Sequence, residues 1–165
     1  MSTKNVLSFM ILEDVLIPAD AVAGLIVLDD GRYLMQLRDC KRGIFYPGHW
    51  GLFGGAVDVG EDKLTALRRE LMEELQFSVE KVEYFTGFDF DFSFAGHGKR
   101  FRAFYEVPIK AADLLRLVLN EGAGMQAFTA AEILMEPRVV PYDAFAIWMH
   151  ANRNKLLVPS RLAAG

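Results

Sequence analysis

Gly54-Gly55-Ala56-Val57-Asp58-Val59-Gly60-Glu61-Asp62-Lys63-Leu64-Thr65-Ala66-Leu67-Arg68-Arg69-Glu70-Leu71-Met72-Glu73-Glu74-Leu75-Gln76-Phe77 runs from a glycine pair into a helix loaded with acid. Leu64, Leu67, Leu71 and Leu75 recur at spacings of three and four, which predicts an amphipathic helix over about 62–77 with a leucine face toward a core. Glu70, Glu73 and Glu74 then fall at i, i+3 and i+4. Side chains at those offsets are neighbours, and like charges there repel by about 0.2–0.5 kcal/mol per pair. A hard cation such as Mg²⁺ relieves that repulsion: it takes oxygen ligands, keeps several waters, and is commonly held by one or two carboxylates together with substrate phosphate oxygens. A solvated acidic face is the plain alternative.

The spacing decides between them. Gly55, five residues, Glu61, seven residues, Arg69-Glu70, an aliphatic Leu71, one residue, Glu73-Glu74, one residue, position 76 and then Phe77 resembles the Nudix box. One fixed position departs: Gln76 stands where the family has a glycine that ends the helix, and Gln enters a left-handed backbone less readily. Just upstream, Phe53 stands where many members carry proline. All the charged residues of the box are present.

The resemblance implies an α/β fold, a Nudix-like α/β/α sandwich with a mixed β-sheet, over about 20–154. It also implies roles. Glu70, Glu73 and Glu74 are the expected metal ligands, joined by the carbonyl of Gly54. Glu61 and Arg69 are expected to pair and brace the loop against the helix, with Gly55 supporting the same turn. Glu121, in Asn120-Glu121-Gly122-Ala123-Gly124, is the candidate general base or outer metal ligand. Glu70 competes for the role of base, and an ordinary loop carboxylate is the plain account of Glu121.

A diphosphate linkage resists hydroxide because its oxygens are already negative, so cleavage calls for cations that neutralise developing charge and orient a water. The expected activity is therefore metal-dependent hydrolysis of a phosphoanhydride bond, with Mg²⁺ as cofactor and Mn²⁺ as a substitute. The substrate class is a nucleoside diphosphate linked to another moiety, such as a nucleoside triphosphate or a nucleotide sugar. A nucleotide-sensing Nudix module that binds without turnover is the alternative. Arg38, Arg42 and Trp50, in and after the loop before the box, are candidate substrate contacts; Tyr46 and His49 share that stretch. Aromatics there are equally suited to packing. Arg100 and Arg102 could also contact phosphate, but the preferred expectation is that they pair across strands with Asp89 and Asp91.

The rest of the chain bounds this reading. At 165 residues with 52% hydrophobic content it suits one compact domain rather than disorder. A net charge of -4 argues against nucleic acid as a partner. The apolar run Val6 to Leu12 is interrupted by Glu13-Asp14, too short for a membrane span, so the expected setting is cytoplasmic with no membrane partner. Cys40 stands alone, which excludes an internal disulfide.

Residues 1–19 are expected to form an extension, an added strand or the arm of a homodimer, before a domain over 20–158 and a tail over 159–165. Within the domain, 21–28 and 33–37 read as a hairpin about Asp29-Asp30-Gly31, and 50–57 as a further strand. Over 82–94, Phe88, Phe90, Phe92 and Phe94 alternate with polar residues, predicting one buried strand face that returns through 101–107. Residues 111–117 suggest a short helix and 125–128 a short strand. Thr129-Ala130-Ala131-Glu132 has capping-box spacing, and Pro141 opens a last helix with Tyr142, Phe145, Ala146 and Met149 on one face. His97 is expected in a turn and His150 on a helix surface.

Overall fold

The computed structural model describes residues 17–156. The extension over 1–19 and the tail over 159–165 lie outside those residues, apart from positions 17–19. β1 (Ala21–Leu28) and β2 (Tyr33–Leu37) form the predicted hairpin, turned by Gly31 at φ 85°. β3 (Trp50–Gly51) pairs with β2. β4 (Glu83–Asp91) and β5 (Lys99–Ile109) form a second antiparallel hairpin, and β6 (Gly124–Phe128) pairs antiparallel with β2. The strand order is β3-β2-β1-β5-β4, with β1 and β5 parallel, so the sheet is mixed.

Alternation along the central strands divides the interior into two cores, because successive side chains point to opposite faces. Val22, Ile26, Leu34, Ala103 and Val107 meet Leu67, Leu71 and Leu75 of α1 (Lys63–Leu75). Ala23, Leu25, Met35 and Phe104 face the other way, onto Ile133 of α2 (Ala130–Met135) and Ala146 and Ile147 of α3 (Pro141–Ala151). The result is an α/β/α sandwich, in which each fully buried aliphatic side chain contributes about 1.5–3 kcal/mol. A short helix, α4 (Arg153–Leu156), follows, and short stretches of 3₁₀ helix occupy Ser93–Ala95 and Ala111–Arg116. The capping box at Thr129 is formed in both directions.

Four details depart from the sequence reading. The strand expected over 50–57 stops at Gly51 and continues as isolated bridges at Phe53 and Ala56, because Gly54 at φ 131° breaks the ladder. The phenylalanine stripe also ends early: β4 stops at Asp91, whose Oδ1 accepts the Ser93 N–H and turns the chain. β4 is an edge strand, and its aromatic face is half-buried rather than fully buried. Helix α3 buries Asp143, Ala146, Ile147 and His150, a face one residue round from the one expected, leaving Phe145 exposed. His150 is thus interior, its Nδ1 2.8 Å from the Tyr33 hydroxyl and its Nε2 2.8 Å from Glu106.

Candidate active site

The glycine loop is laid against β1. Val22 N–H donates to the Gly55 carbonyl and Gly24 N–H to that of Phe53, both at 2.9 Å, while the Gly54 carbonyl between them accepts no hydrogen bond among the described residues. A side chain at Gly54 would strike backbone, and one at Gly55 would displace the Glu70 carboxylate. A Cβ on Gly54 would lie 2.3 Å from the Val22 carbonyl oxygen, and one on Gly55 2.5 Å from Cδ of Glu70. The loop therefore seats the Glu70 carboxylate directly against its own backbone.

Helix α1 supplies the acids. It begins at Asp62, whose Oδ1 accepts from the Leu64 and Thr65 amides, satisfying two of the first-turn donors. Glu74 is buried and takes the Gly54 N–H at 2.8 Å and Gln36 Nε2 at 2.9 Å. Arg69 gathers the others: it donates to Glu61 through Nε (3.0 Å) and Nη2 (2.9 Å), to Glu70 at 2.7 Å, to Glu73 at 3.4 Å and to the Ala56 carbonyl at 2.9 Å. That fork ties loop to helix, and the hydrogen bonds from Arg69 hold the Glu61 carboxyl below the ordinary range.

The end of α1 is where the sequence departs from the box, and it closes all the same. Gln76 adopts the left-handed conformation at φ 51°, ψ 35°, and its N–H reaches the Met72 carbonyl at 3.0 Å. The loop after the 3₁₀ turn caps what remains. Val118 N–H donates to the Leu75 carbonyl, Asn120 N–H to that of Glu74, and Asn120 Nδ2 to that of Glu73. This docking carries Glu121 to the acidic turn. Gln36 of β2 joins the parts, its Nε2 also donating to the Glu121 carbonyl at 3.2 Å.

Burial pushes the Glu74 carboxyl up to about 7, against the two hydrogen bonds it accepts, with Glu70 and Glu121 adding repulsion. Burial also raises Glu70, against the pull of Arg69, and Glu73 and Glu121 raise it further. Negative charge is thus concentrated and undercompensated. Among the described residues no three acidic, imidazole or thiol side chains already converge as a metal nest, because Glu70 and Glu73 lean on Arg69. The donor set nevertheless fits a hard divalent ion: carboxylate oxygens, one unengaged carbonyl, and excess charge for a cation to offset.

A cavity of about 660 Å³ opens beside the glycine pair, walled by Arg38, Phe90, Phe92, Arg102 and Tyr142. Of the expected substrate contacts, Arg38 lines it. Trp50 does not: its ring packs edge-on against Phe128, 4.9 Å between centroids, because the β2–β3 pairing directs it to the second core. Arg42 is exposed and also outside the lining. The register opposes Asp89 to Phe101 and Asp91 to Lys99, so neither acid faces an arginine. Arg102 instead reaches Asp143 at 3.0 Å, and Arg100 donates to the Pro18 carbonyl at 2.7 Å. Sequence reasoning missed Gln36 and Tyr142; strand pairing brings Gln36 to the site, and Tyr142 reaches the cavity from α3.

Fold and site together define a mixed-sheet sandwich built around an acidic loop-helix turn. The NUDIX domain model matches residues 18–159, and the chain belongs to the Nudix family. Nucleoside triphosphatase NudI of Escherichia coli O1:K1 is 48% identical over 50 residues, 30% of this chain and 35% of that relative. The match therefore spans about a third of the length of the curated relatives. The MutT protein of Methanosarcina mazei Go1 shares the fold at TM-score 0.69 and 19% identity, over 84% of this chain and 99% of that one. The NUDIX domain of Shewanella oneidensis NrtR, solved with ADP ribose, matches at TM-score 0.66 and 16% identity, over 93% of this chain and 99% of that one. Among the described residues no helix is long and apolar enough to cross a membrane.

Proposed function

We propose that this protein is a metal-dependent hydrolase that cleaves a phosphoanhydride bond in a nucleoside triphosphate or another nucleoside diphosphate derivative. The observation that carries the reading is the seating of Glu70 and Glu74 against the glycine loop beside the unengaged Gly54 carbonyl, at the mouth of an aromatic cavity. Glu70, Glu73, Glu74 and the Gly54 carbonyl would hold Mg²⁺ or Mn²⁺. When bound, the ion supplies charge neutralisation at the phosphates and an acidified water. Arg69 positions Glu70 and Glu73 through its hydrogen bonds, and on this reading Glu121 accepts a proton. The partial match to a nucleoside triphosphatase supports the substrate class, and cytoplasmic residence belongs to the same reading.

The test is a hydrolysis screen across triphosphates, dinucleoside polyphosphates and diphosphate sugars with Mg²⁺ or Mn²⁺ and product identification. Turnover is expected with at least one class, falling about 100-fold or more in Glu73→Gln and about 10-fold or more in Glu121→Gln, with both variants folded. Nucleotide binding without turnover across the panel establishes the sensing module instead.

A further inference from the structure

Among the charged side chains that line the cavity beside the glycine pair, arginines outnumber carboxylates, Arg38, Arg100 and Arg102 against Asp91. Arg38 donates Nε to the Phe45 carbonyl at 2.8 Å, and its terminal nitrogens meet no acceptor among the described residues. Arg102 gives one terminal nitrogen to Asp143, while its Nε is buried without a partner. Its guanidinium lies over the Tyr142 ring at 4.8 Å, and Phe90 packs on that ring at 5.5 Å. Arginine donates and cannot accept. Asp91, the sole carboxylate of the lining, is exposed and has Oδ1 turned to Ser93, and Asp143 is buried under the Leu52 amide and Arg102.

Such walls suit a flat ring whose face packs on aromatics and whose edge offers oxygen. We propose that Arg102 and Arg38 read the base of the substrate, selecting bases that present an oxo group over their amino counterparts. This rests on the nucleotide reading above. An exocyclic amine in the same place sets donor against donor and leaves guanidinium N–H groups without an acceptor, a mismatch that discriminates more strongly than a missing methylene. Arg102 is suited to the base rather than the phosphates because Asp143 already offsets its charge and holds its plane against Tyr142.

Matched pairs test this without committing to ring size: UTP against CTP, and ITP against ATP, each differing in oxo or amino at one edge. Turnover with Mg²⁺ and binding by calorimetry are read separately on the full chain. The oxo member is expected to be favoured about tenfold or more in kcat/KM, or in Kd where turnover is absent, within the better-bound pair. Oxo preference in binding without turnover overturns the hydrolase reading and keeps this one; turnover with ratios within about twofold in both pairs, or an amino preference, overturns this one and keeps the hydrolase. Arg102→Lys is expected to bring the ratio toward one. An equal fall for both members of a pair places the arginine on phosphate and overturns the assignment. Arg38→Gln, at a loop position, reads the same ratio should the Arg102 variant fail to fold.

Discussion

Glu74→Gln separates what the acidic turn costs the metal-free fold from what it does for activity. In the folded chain the Glu74 carboxyl is pushed up to about 7, against an ordinary 4.5. The proton is held more tightly folded than unfolded, so the ionised form opposes folding. Stability from this group is present below about 4.5, declines as pH rises, and is lost above about 7. The gap of about 2.5 pH units, at 1.36 kcal/mol per unit, comes to about 3 kcal/mol at pH 8 and under about 1 kcal/mol at pH 5. Gln resembles the protonated acid in shape and still offers an oxygen to the Gly54 N–H. In chelator, urea denaturation is expected to show Glu74→Gln more stable than the parent by about 3 kcal/mol at pH 8, with the gap nearly closed at pH 5. Comparing the two proteins at each pH cancels titrating groups remote from Glu74, His150 included. Mg²⁺ should then stabilise the parent at pH 8 more than the variant, which should be inactive. A variant less stable than the parent at pH 8 in chelator would refute the argument that unmet charge is stored at this turn.

Two further outcomes follow from the frame around the site. Gln76→Gly removes a left-handed non-glycine residue that costs about 1–2 kcal/mol, partly offset by the freedom glycine gains when unfolded; thermal denaturation should show a net gain of about 1 kcal/mol. A loss would mean that the Gln76 side chain contributes more than its backbone costs. His150→Ala leaves Tyr33 and Glu106 without their shared partner in the second core, so denaturant unfolding should show a loss of about 3 kcal/mol or more, whereas a change within 0.5 kcal/mol would rule out a structural role for this cluster.

The leucine spacing from Leu64 to Leu75, the hairpin about Gly31 and the capping box at Thr129 were legible because each is written in residues close together in the chain. The box likewise showed in sequence which acids share a turn. What escaped depends on register between distant segments. Nothing local to Gln36 places its amide between Glu74 and Glu121, and nothing local to Arg102 indicates that Asp143, on a helix in the opposite layer, will meet it before Asp89 or Asp91 does. His150 was misjudged for a related reason: a lone polar residue looks like a surface residue until its two partners arrive from β2 and β5. Trp50 looked like a ligand contact in an aromatic-rich loop, and one rung of strand pairing turned it inward.

The parallel pairing of β1 with β5, which sets Ala21 beside Arg102, has a consequence for how the chain is made. Strands so far apart in sequence close a large loop, and loops of that kind form late. On the ribosome, the glycine loop and the acidic helix emerge well before the strand that completes the middle of the sheet. The helix can form early, yet the caps from Val118 and Asn120 arrive later still. Until then its carboxylates stand in water, where their repulsion is screened and a cation is weakly held. On the proposed reading the same residues would gain a hold on metal only as the last third of the chain docks, so a truncated product would contain every acid of the box without the arrangement that they form.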